Sequence, residues 1–343
     1  MKIEEHIPLK EYTTFKLDAR ARYFFVAENI DDLREALRFA KSKNIPVFIL
    51  GGGSNILLDD SAEIDMLFIK VEISGFERLN ENENFVDIKI GSGENWDFVV
   101  ERAVDMNLSG IEAMSRIPGT IGATPIQNVG AYGQEIKDTL IDVTLYDIES
   151  GEIKMLTNEE CEFSYRDSIF KHRAKDEYVI LYVTLRLSKS APKMPDYPGV
   201  KKYFDNLGIT NPNIKEIRDA IIAIRGIKLP DPKVIASVGS FFKNPIIRAS
   251  LLREIRNSYP SIPSFEMGGG MHKVPAGWLI DTLGWKGKDF GNLKLYEQNA
   301  LVIVNKGSAT FQELRSVVYE IKKAVFGQFG IELEQEPIEI GAR

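Results

Sequence analysis

The sequence is poor in the residues that build disulfides and metal centres. Its 343 residues include one cysteine, Cys161, which excludes an internal disulfide and is typical of a reducing compartment. Two acidic neighbours disfavour the thiolate that a catalytic cysteine needs. The three histidines are His6, His172 and His272. They lack metal-ligand spacing, so we expect no zinc or non-haem iron site.

Long apolar runs and an excess of basic charge are also missing. No run approaches the ~18 residues that span a bilayer, and the first residues lack the apolar core of a signal peptide. Lys and Arg number 43 against 50 Asp and Glu, a net charge of −7. This balance argues against nucleic-acid binding, although local arginines and amides can still bind a small anion. We therefore expect a cytoplasmic protein without nucleic-acid, membrane or metal partners.

Glycine and proline are concentrated in residues 117–133, IPGTIGATPIQNVGAYG, which hold four glycines and two prolines. No charged residue lies between Arg116 and Glu135. Glycine lets backbone approach a ligand closely, and a loop without bulky side chains can offer its N–H groups to phosphate or to a ring edge. A tightly packed buried turn is the alternative.

A second glycine-rich segment, GGGSN at 51–55, lies between two strand-like runs, 45–50 and 56–58. A Rossmann fingerprint would instead open a helix. The segment therefore predicts a phosphate cradle built from a loop, with a tight turn as the alternative. Residues 22–50 before it predict a β–α–β unit with its helix at 31–43.

The rest of the chain mixes both periodicities. Helices are expected at 96–106, 214–224, 246–256, 276–283 and 311–329, and strands at 67–71, 85–90, 141–148, 152–156, 178–187 and 300–304. The proline-bearing segment 191–198 indicates a domain boundary, and 331–340 is expected to be extended.

Two charged segments suit an anionic substrate. In Ser164–Phe170, SYRDSIF, the Asp167 carboxylate could fix the orientation of Arg166 while the Arg166 guanidinium binds a substrate carboxylate. A structural Arg–Asp pair is the alternative. In KLPDPK, 228–233, two prolines favour an extended backbone that would aim Lys228. Taken alone, this second segment is explained better by a solvent-exposed linker.

Two further segments could supply protons. GSFFKNP, 239–245, would present the Ser240 hydroxyl beside an apolar pocket, although packing alone could explain its aromatics. It is no nucleophile elbow, so Ser240 suits proton donation better than acyl transfer. In the tail, Glu332, Glu334 and Glu336 would share one strand face. One of them could act as a general acid, or all could be solvated.

In this order and spacing, the segments resemble the UDP-N-acetylenolpyruvoylglucosamine reductase family, specifically its longer-chain subfamily. The resemblance spans nearly the whole chain, and PIQNVGAYG and GSFFKNP carry it most specifically. It implies an α+β fold: an FAD-binding domain of the para-cresol methylhydroxylase type in two subdomains, then an α+β substrate-binding domain. The implied boundaries are 1–66, joined by a returning strand at 331–343, then 67–200, then 201–330.

The resemblance also implies ligands and residue roles. FAD would be non-covalent, because neither glycine loop holds a histidine, and NADPH would be the co-substrate. Arg166 would polarise the substrate carboxylate, Ser240 would protonate C2 and Glu336 would assist. Implied FAD contacts are Gly51, Gly52, Gly53, Ser54, Asn55, Pro118, Gly122, Ala123, Ile126 and Gly130. Implied substrate contacts are Tyr132, Tyr165, Tyr197, Lys228, Asn244 and Asn299.

The sequence departs from the family pattern at four positions. Tyr296 stands where many relatives have His, and Asn299 where Gln is usual; Ile338 replaces an arginine of some relatives, and Ala123 a common serine. These departures bear on fine contacts. Two other functions are considered: a flavin oxidase of the same fold, which needs no Arg166, Ser240 and Glu336 set, and a nucleotide-binding module without chemistry.

Overall fold

The computed structural model describes residues 3–342, and the chain divides into two compact units. The first, called unit 1, comprises the amino-terminal segment through Ile7, residues 21–52 and residues 65–226. Unit 2 comprises residues 8–20, residues 53–64 and the chain from Ile227 onward. The predicted division of the FAD-binding part at residue 66 stays a prediction.

Seven helices run through the described chain. They are α1 (Ile30–Lys43), α2 (Trp96–Asp105), α3 (Pro198–Leu207), α4 (Ile214–Lys228), α5 (Ala249–Ser258), α6 (Ala276–Thr282) and α7 (Phe311–Phe329).

The strands of the described residues are short except in the middle of the chain. The first ten are β1 (Glu4–Pro8), β2 (Arg20–Ala27), β3 (Val47–Leu50), β4 (Ile56–Leu58), β5 (Ile64–Val71), β6 (Phe76–Glu81), β7 (Phe85–Gly91), β8 (Gly130–Ala131), β9 (Gln134–Glu135) and β10 (Leu140–Asp147). The others are β11 (Ile153–Thr157), β12 (Tyr178–Ser188), β13 (Ala236–Ser240), β14 (Ile246–Arg248), β15 (Phe265–Gly268), β16 (Met271–Lys273), β17 (Asp289–Phe290), β18 (Leu293–Tyr296), β19 (Asn299–Asn305) and β20 (Ile338–Ile340).

Unit 1 contains two larger sheets. One has the strand order β1-β2-β5-β3, with β3 parallel to β5, and the buried face of α1 packs in its core cluster. Asn29 begins α1 because its side chain accepts the Asp32 amide. The β–α–β prediction for 22–50 is confirmed, and β3 ends where the first glycine loop begins.

The second sheet of unit 1 has the order β11-β10-β12-β7-β6 and is antiparallel throughout. Its central strand β12 alternates and buries one row of Val, Ile and Leu side chains against α2. Fully buried Trp96 begins α2 and donates its indole N–H to the Met114 carbonyl at 2.9 Å. That bond fixes the chain just before residues 117–133.

Unit 2 has one core, formed by α5, α6, α7 and the sheet β13-β19-β18-β17. A three-stranded sheet, β14-β16-β15, and the parallel pair β20-β4 complete it. The predicted helix 311–329 is confirmed residue for residue, and a capping box at Thr310 and Glu313 explains its start.

Two local predictions are wrong, and one helix was not predicted. Lys228 is the last residue of α4, and residues 232–234 form a turn in which the Val234 amide donates to the Asp231 carbonyl at 2.9 Å, so the extended backbone expected for 228–233 is not observed. The helix expected at 246–256 starts at Ala249, after the short strand β14. The tail that was expected to be extended contains no helix: Gln335 forms an antiparallel bridge with Phe242, and Ile338–Ile340 form β20. α3 follows the 191–198 connector, where no helix was expected: Pro198 occupies its first turn, which proline tolerates.

Candidate functional site

In unit 1 the two glycine-rich loops pack backbone against backbone. A Cβ placed on Gly52 would lie 2.7 Å from the Gly119 Cα, and one on Gly51 would lie 2.7 Å from the Thr120 hydroxyl oxygen. Real Cβ contacts are essentially never that short, so a Cβ on Gly52 would force the two backbones apart and one on Gly51 would displace the Thr120 side chain. The missing side chains therefore permit this close approach.

The second loop is folded by its own backbone. Residues 121–123 form a single 3-10 turn, and the Gly122 amide donates to the Ser92 carbonyl at 2.9 Å. A Cβ on Gly122 would lie 2.7 Å from that of Ser92. The Ala123 amide donates to Thr120 at 3.0 Å. The loop thus owes its shape to hydrogen bonds and to absent side chains.

Donor groups remain available where the two loops meet. Within residues 3–342, the amides of Gly52, Gly119 and Thr120 donate no hydrogen bond. The Ser92 hydroxyl is buried and lacks a partner in the same part of the chain. Buried or clustered donors are normally satisfied, so this arrangement suits an acceptor-rich ligand such as a pyrophosphate. Ser92 and Thr120 are residues that the sequence reading missed.

Two side-chain hydrogen bonds join the Arg166 segment to the end of the same loop. The Arg166 Nη2 donates to the Gly130 carbonyl at 2.7 Å, and the Ser168 hydroxyl donates to the Ile126 carbonyl at 2.7 Å. Arg166 itself has a φ of +56°, a strained value for a residue with a side chain. Asp167, which was expected to hold the guanidinium, is instead hydrogen-bonded to the His172 Nε2 at 2.8 Å.

A buried asparagine couples these two segments. Asn128 is fully buried and also has positive φ, +47°. Its Nδ2 donates to the Ser164 carbonyl and to Glu135, each at 2.9 Å, while its Oδ1 accepts the Lys137 amide at 3.3 Å. All the strong contacts of the side chain are therefore internal. Sequence reading quoted this residue but gave it no role.

Two of the predicted substrate-binding tyrosines meet in unit 1. The rings of Tyr132 and Tyr197 pack edge to face, with centroids 5.0 Å apart. Burial raises the pKa of the Tyr132 hydroxyl, and the neighbouring Arg225 guanidinium partly offsets that rise. Tyr165 lies under the Arg166 guanidinium, 5.4 Å from its ring centroid to the Arg166 Cζ.

In unit 2 the first glycine loop continues into a crowded turn. Gly53 has a φ of +61°, and a Cβ there would lie 1.9 Å from the Tyr12 carbonyl oxygen. The Gly53 carbonyl accepts the Thr14 amide at 3.1 Å. Asn55 joins the loop to the tail, because its Nδ2 donates to the Glu336 carbonyl at 3.3 Å and its own carbonyl accepts the Ile338 amide at 3.0 Å.

The structure brings Ser240 and Glu336 onto neighbouring backbone segments of unit 2. The Glu336 amide donates to the carbonyl of Phe241, the residue after Ser240, at 2.9 Å. The Lys243 amide donates to Glu334 at 2.9 Å, which makes the two segments antiparallel. Glu336 is partly buried, whereas Glu332 and Glu334 are exposed. The structure thereby distinguishes three glutamates that the sequence left equivalent.

Three other predicted substrate contacts lie in unit 2. The Asn244 Oδ1 accepts the Ala276 amide at the start of α6 at 3.0 Å, so its Nδ2 is the end left for a ligand. The Asn299 Oδ1 accepts the Leu301 amide at 3.1 Å. Lys228 is exposed at the end of α4. Arg166 belongs to unit 1, and Ser240 and Glu336 belong to unit 2.

Comparisons with known proteins define the class first. The family profile described as "FAD binding domain" matches residues 21–157, and the profile described as "UDP-N-acetylenolpyruvoylglucosamine reductase, C-terminal domain" matches residues 231–340. The chain is therefore an FAD-binding flavoprotein with a reductase-type carboxyl-terminal domain. The predicted α+β fold and FAD cofactor are confirmed.

Full-length relatives define the family. A UDP-N-acetylenolpyruvoylglucosamine reductase of Flavobacterium johnsoniae is 42% identical over 98% of this chain and 99% of its own length. That of Pseudomonas aeruginosa is 39% identical over 98% of each. The chain belongs to the UDP-N-acetylenolpyruvoylglucosamine reductase family, as the sequence motifs predicted.

A solved structure supports the fold. The UDP-N-acetylenolpyruvylglucosamine reductase of Thermus caldophilus aligns over 99% of both chains with a TM-score of 0.69 at 22% identity. Within residues 3–342, no helix has the length and apolar character that a bilayer crossing requires. The same residues contain no group of three or more His, Cys, Asp or Glu side chains placed to hold a metal ion.

Proposed function

We propose that this chain uses NADPH to reduce the enolpyruvyl ether of UDP-N-acetylglucosamine to UDP-N-acetylmuramate, a step of peptidoglycan precursor synthesis in the cytoplasm. Membership of the family over 98% of the chain supports the reaction class. The observation that carries the assignment is the antiparallel contact of residues 239–243 with 334–336, which presents Ser240 and Glu336 on adjacent segments.

The glycine loops fit FAD as a non-covalent cofactor. Within residues 3–342, their amides at Gly52, Gly119 and Thr120 donate no hydrogen bond and can serve as neutral donors for phosphate oxygens. The lack of Cβ atoms leaves room for close approach. Gly51–Asn55, Pro118, Gly122, Ala123, Ile126 and Gly130 are the proposed contacts. Bound FAD supplies the hydride acceptor and donor between NADPH and substrate.

Arg166 is proposed to bind the substrate carboxylate. The guanidinium is anchored at one nitrogen by the Gly130 carbonyl, so its remaining N–H groups have a defined direction. A cation on the carboxylate withdraws electrons from the adjacent double bond and stabilises negative charge that develops on the carboxylate oxygens during hydride addition. Residues 164–168 would hold this geometry through Asn128 and Ser168.

Ser240 is proposed to hold the proton that C2 receives. It ends β13, where Gly239 before it has a φ of +71° and turns the chain. The neighbouring Glu336 would act electrostatically or as an acid. The segment around Ser240 is no nucleophile elbow, so an acyl-enzyme role is not proposed.

The remaining predicted contacts are assigned to the sugar nucleotide and to NADPH. Tyr132, Tyr165, Tyr197, Lys228, Asn244 and Asn299 are the proposed substrate contacts, with Lys228 meeting phosphate charge. Tyr296 and Ile338 mark the positions at which fine contacts should differ from those of relatives.

An anaerobic experiment tests the proposal. The purified, yellow protein is reduced with NADPH until the flavin absorbance disappears, and the enolpyruvyl sugar nucleotide is then added. The proposal predicts that the oxidised spectrum returns without oxygen and that one equivalent of product appears by mass spectrometry. Recovery only on admission of air would indicate an oxidase, and a colourless protein that takes up no FAD would indicate a module without this chemistry.

A further inference from the structure

Arg166 lies at the corner of a tight turn, in an unfavourable backbone conformation. The Asp167 amide donates to the Ser164 carbonyl at 3.2 Å, and the Ser164 amide donates to the Asp167 carbonyl at 3.1 Å, so Arg166 is the third of four turn residues. Its φ of +56° is a value that Gly or Asn normally supplies at this position. A side chain such as arginine stays there only when its surroundings hold it.

The ammonium of Lys171 is one of the groups that hold this turn. Its Nζ donates to the Arg166 carbonyl oxygen at 3.1 Å. That carbonyl belongs to the same peptide group as the Asp167 amide, which donates to the Ser164 carbonyl. The peptide that follows Arg166 is therefore hydrogen-bonded at both ends, and the bond from the ammonium is charge-assisted.

The chain between the turn and Lys171 gives the ammonium this reach. Residues 169–171 form one 3-10 turn that is capped by the Ser168 hydroxyl. The first two side chains of the 3-10 turn are buried in the core of the antiparallel sheet. Because the core anchors this segment, the half-buried Lys171 side chain starts from a fixed backbone and folds back five residues to Arg166.

The direction of the Arg166 guanidinium depends on the same backbone. Its Nη2 donates to the Gly130 carbonyl at 2.7 Å, and its Cζ lies 5.4 Å from the centroid of the Tyr165 ring. Both contacts require the side chain to leave the turn in the direction that a positive φ gives it. If the turn relaxed to a negative φ, the guanidinium would point away from the Gly130 carbonyl.

We infer that Lys171 is a positioning residue for the proposed reduction: its ammonium holds the Arg166 backbone in the left-handed conformation and thereby aims the guanidinium at the substrate carboxylate. This inference rests on the proposed function, which assigns that carboxylate to Arg166. Lys171 then touches neither substrate nor cofactor, so its removal should act only through Arg166.

Two sugar nucleotides that differ in the carboxylate give a readout that needs no turnover. UDP-N-acetylmuramate carries a lactyl carboxylate, and UDP-N-acetylglucosamine lacks it. Calorimetry with the oxidised, FAD-loaded protein measures both affinities for the wild type, Lys171→Met, Lys171→Arg and the control Lys175→Met. Lys175 is exposed, four residues further along the chain, and lies outside the Arg166 turn.

The inference predicts that Lys171→Met weakens binding of UDP-N-acetylmuramate about tenfold, as for an impaired hydrogen bond to a charged group, and leaves that of UDP-N-acetylglucosamine within about twofold. Lys171→Arg, which keeps a charged donor, should recover most of the loss. Lys175→Met should match the wild type for both ligands. In anaerobic rapid mixing, reoxidation of Lys171→Met by the enolpyruvyl sugar nucleotide should slow by a similar factor, while its reduction by NADPH stays within about twofold.

A double substitution separates action through Arg166 from a general loss of structure. In an Arg166→Met background, Lys171→Met should change the UDP-N-acetylmuramate affinity by less than about twofold, because the group that it positions is gone. Unchanged affinity in Lys171→Met, equal losses for both nucleotides, or an undiminished effect in the Arg166→Met background would overturn the inference. A wild type that prefers the carboxylate nucleotide but reduces no enolpyruvyl sugar nucleotide would contradict the proposed function alone.

Discussion

Residues 117–133 of unit 1 and residues 239–243 with 334–338 of unit 2 are built in opposite ways. The first region has no charged side chain, and its shape comes from backbone bonds such as Gly122 to Ser92 and from glycine contacts that exclude a Cβ. The second is dense in functional groups: Ser240, Lys243, Glu334 and Glu336 project from two short antiparallel segments.

The two regions should therefore respond differently to mutation. Where backbone amides do the binding, a single methyl group is damaging, because it displaces the donors. Where side chains do the chemistry, deleting one group should leave the fold and the cofactor in place. Substitutions in the two regions should therefore differ in whether they lower cofactor affinity.

Gly52→Ala should have the largest effect on cofactor binding. Its Cβ would lie 2.7 Å from the Gly119 Cα, which is backbone and cannot swing away. Overpacking of this kind costs about 1–3 kcal/mol, so we expect the FAD dissociation constant to rise by about 10–100-fold. Fluorescence titration of the apoprotein measures it.

Gly327→Ala is the matched control, because a Cβ at that helix position meets nothing within 4 Å. It should leave FAD affinity unchanged and stabilise α7 by up to about 1 kcal/mol. Equal FAD affinity in both variants would show that the loops do not hold the cofactor through their close approach.

Asp97→Asn should destabilise unit 1 by about 1–3 kcal/mol. The Arg218 side chain is 9% exposed and would keep its charge with only the more distant Glu101, at 3.6 Å, as a carboxylate partner. The hydrogen bond from the Arg116 amide to the same Asp97 oxygen, 2.6 Å, would also weaken. Urea unfolding monitors the loss. Arg34→Met, which removes an exposed pair with Asp31, should change stability by less than about 0.5 kcal/mol; comparable losses would contradict the account.

Removing the Asp147 carboxylate should produce a smaller, pH-dependent effect. Hydrogen bonds from Lys154 and then from the Ser150 amide lower the pKa of Asp147 to about 2. Because the unfolded carboxyl titrates near ~3.9, the contribution is complete above that pH and disappears as the pH falls towards about 2. The melting temperature of the wild type should exceed that of Asp147→Asn at neutral pH and converge with it in acid. A gap independent of pH would refute the assignment.

The Cys161 thiol should show almost no reactivity. Burial, then the charges of Glu160 and Asp142, raise its pKa to about 12. Alkylation at mildly alkaline pH should run about a thousandfold slower than for a free thiol and become rapid on unfolding. Fast native-state labelling, followed by mass spectrometry, would argue against its buried position.

Much of unit 1 could be predicted from sequence because its signals are local. Residues 22–50 show helix and strand periods in succession, and Trp96 and Val99 mark the buried face of α2. The wrong predictions lie where two local sequence signals favour different structures. At Lys228, the helical propensity of the preceding residues continues α4, and the helix ends two residues before Pro230. Near 198, the prolines indicated a domain boundary and no helix was predicted, although Pro198 fits the first turn of α3.

The candidate site was less predictable, since its geometry depends on contacts distant in sequence. Pattern alone could not select Glu336 among three alternating glutamates; the Phe241 carbonyl selects it by accepting its amide. Asn128 stood inside a recognised motif, yet only the structure shows that its bonds hold the Arg166 segment.

The central claim is that Ser240 serves the reaction chemistry while the loops hold the cofactor. Rapid mixing without oxygen measures both half-reactions of Ser240→Ala beside the exposed control Ser316→Ala. The account predicts that reduction by NADPH stays within about twofold of wild type in both, while reoxidation by the enolpyruvyl sugar nucleotide slows about 10²–10⁴-fold in Ser240→Ala alone. Equal slowing of both half-reactions, or undiminished reoxidation, would contradict it.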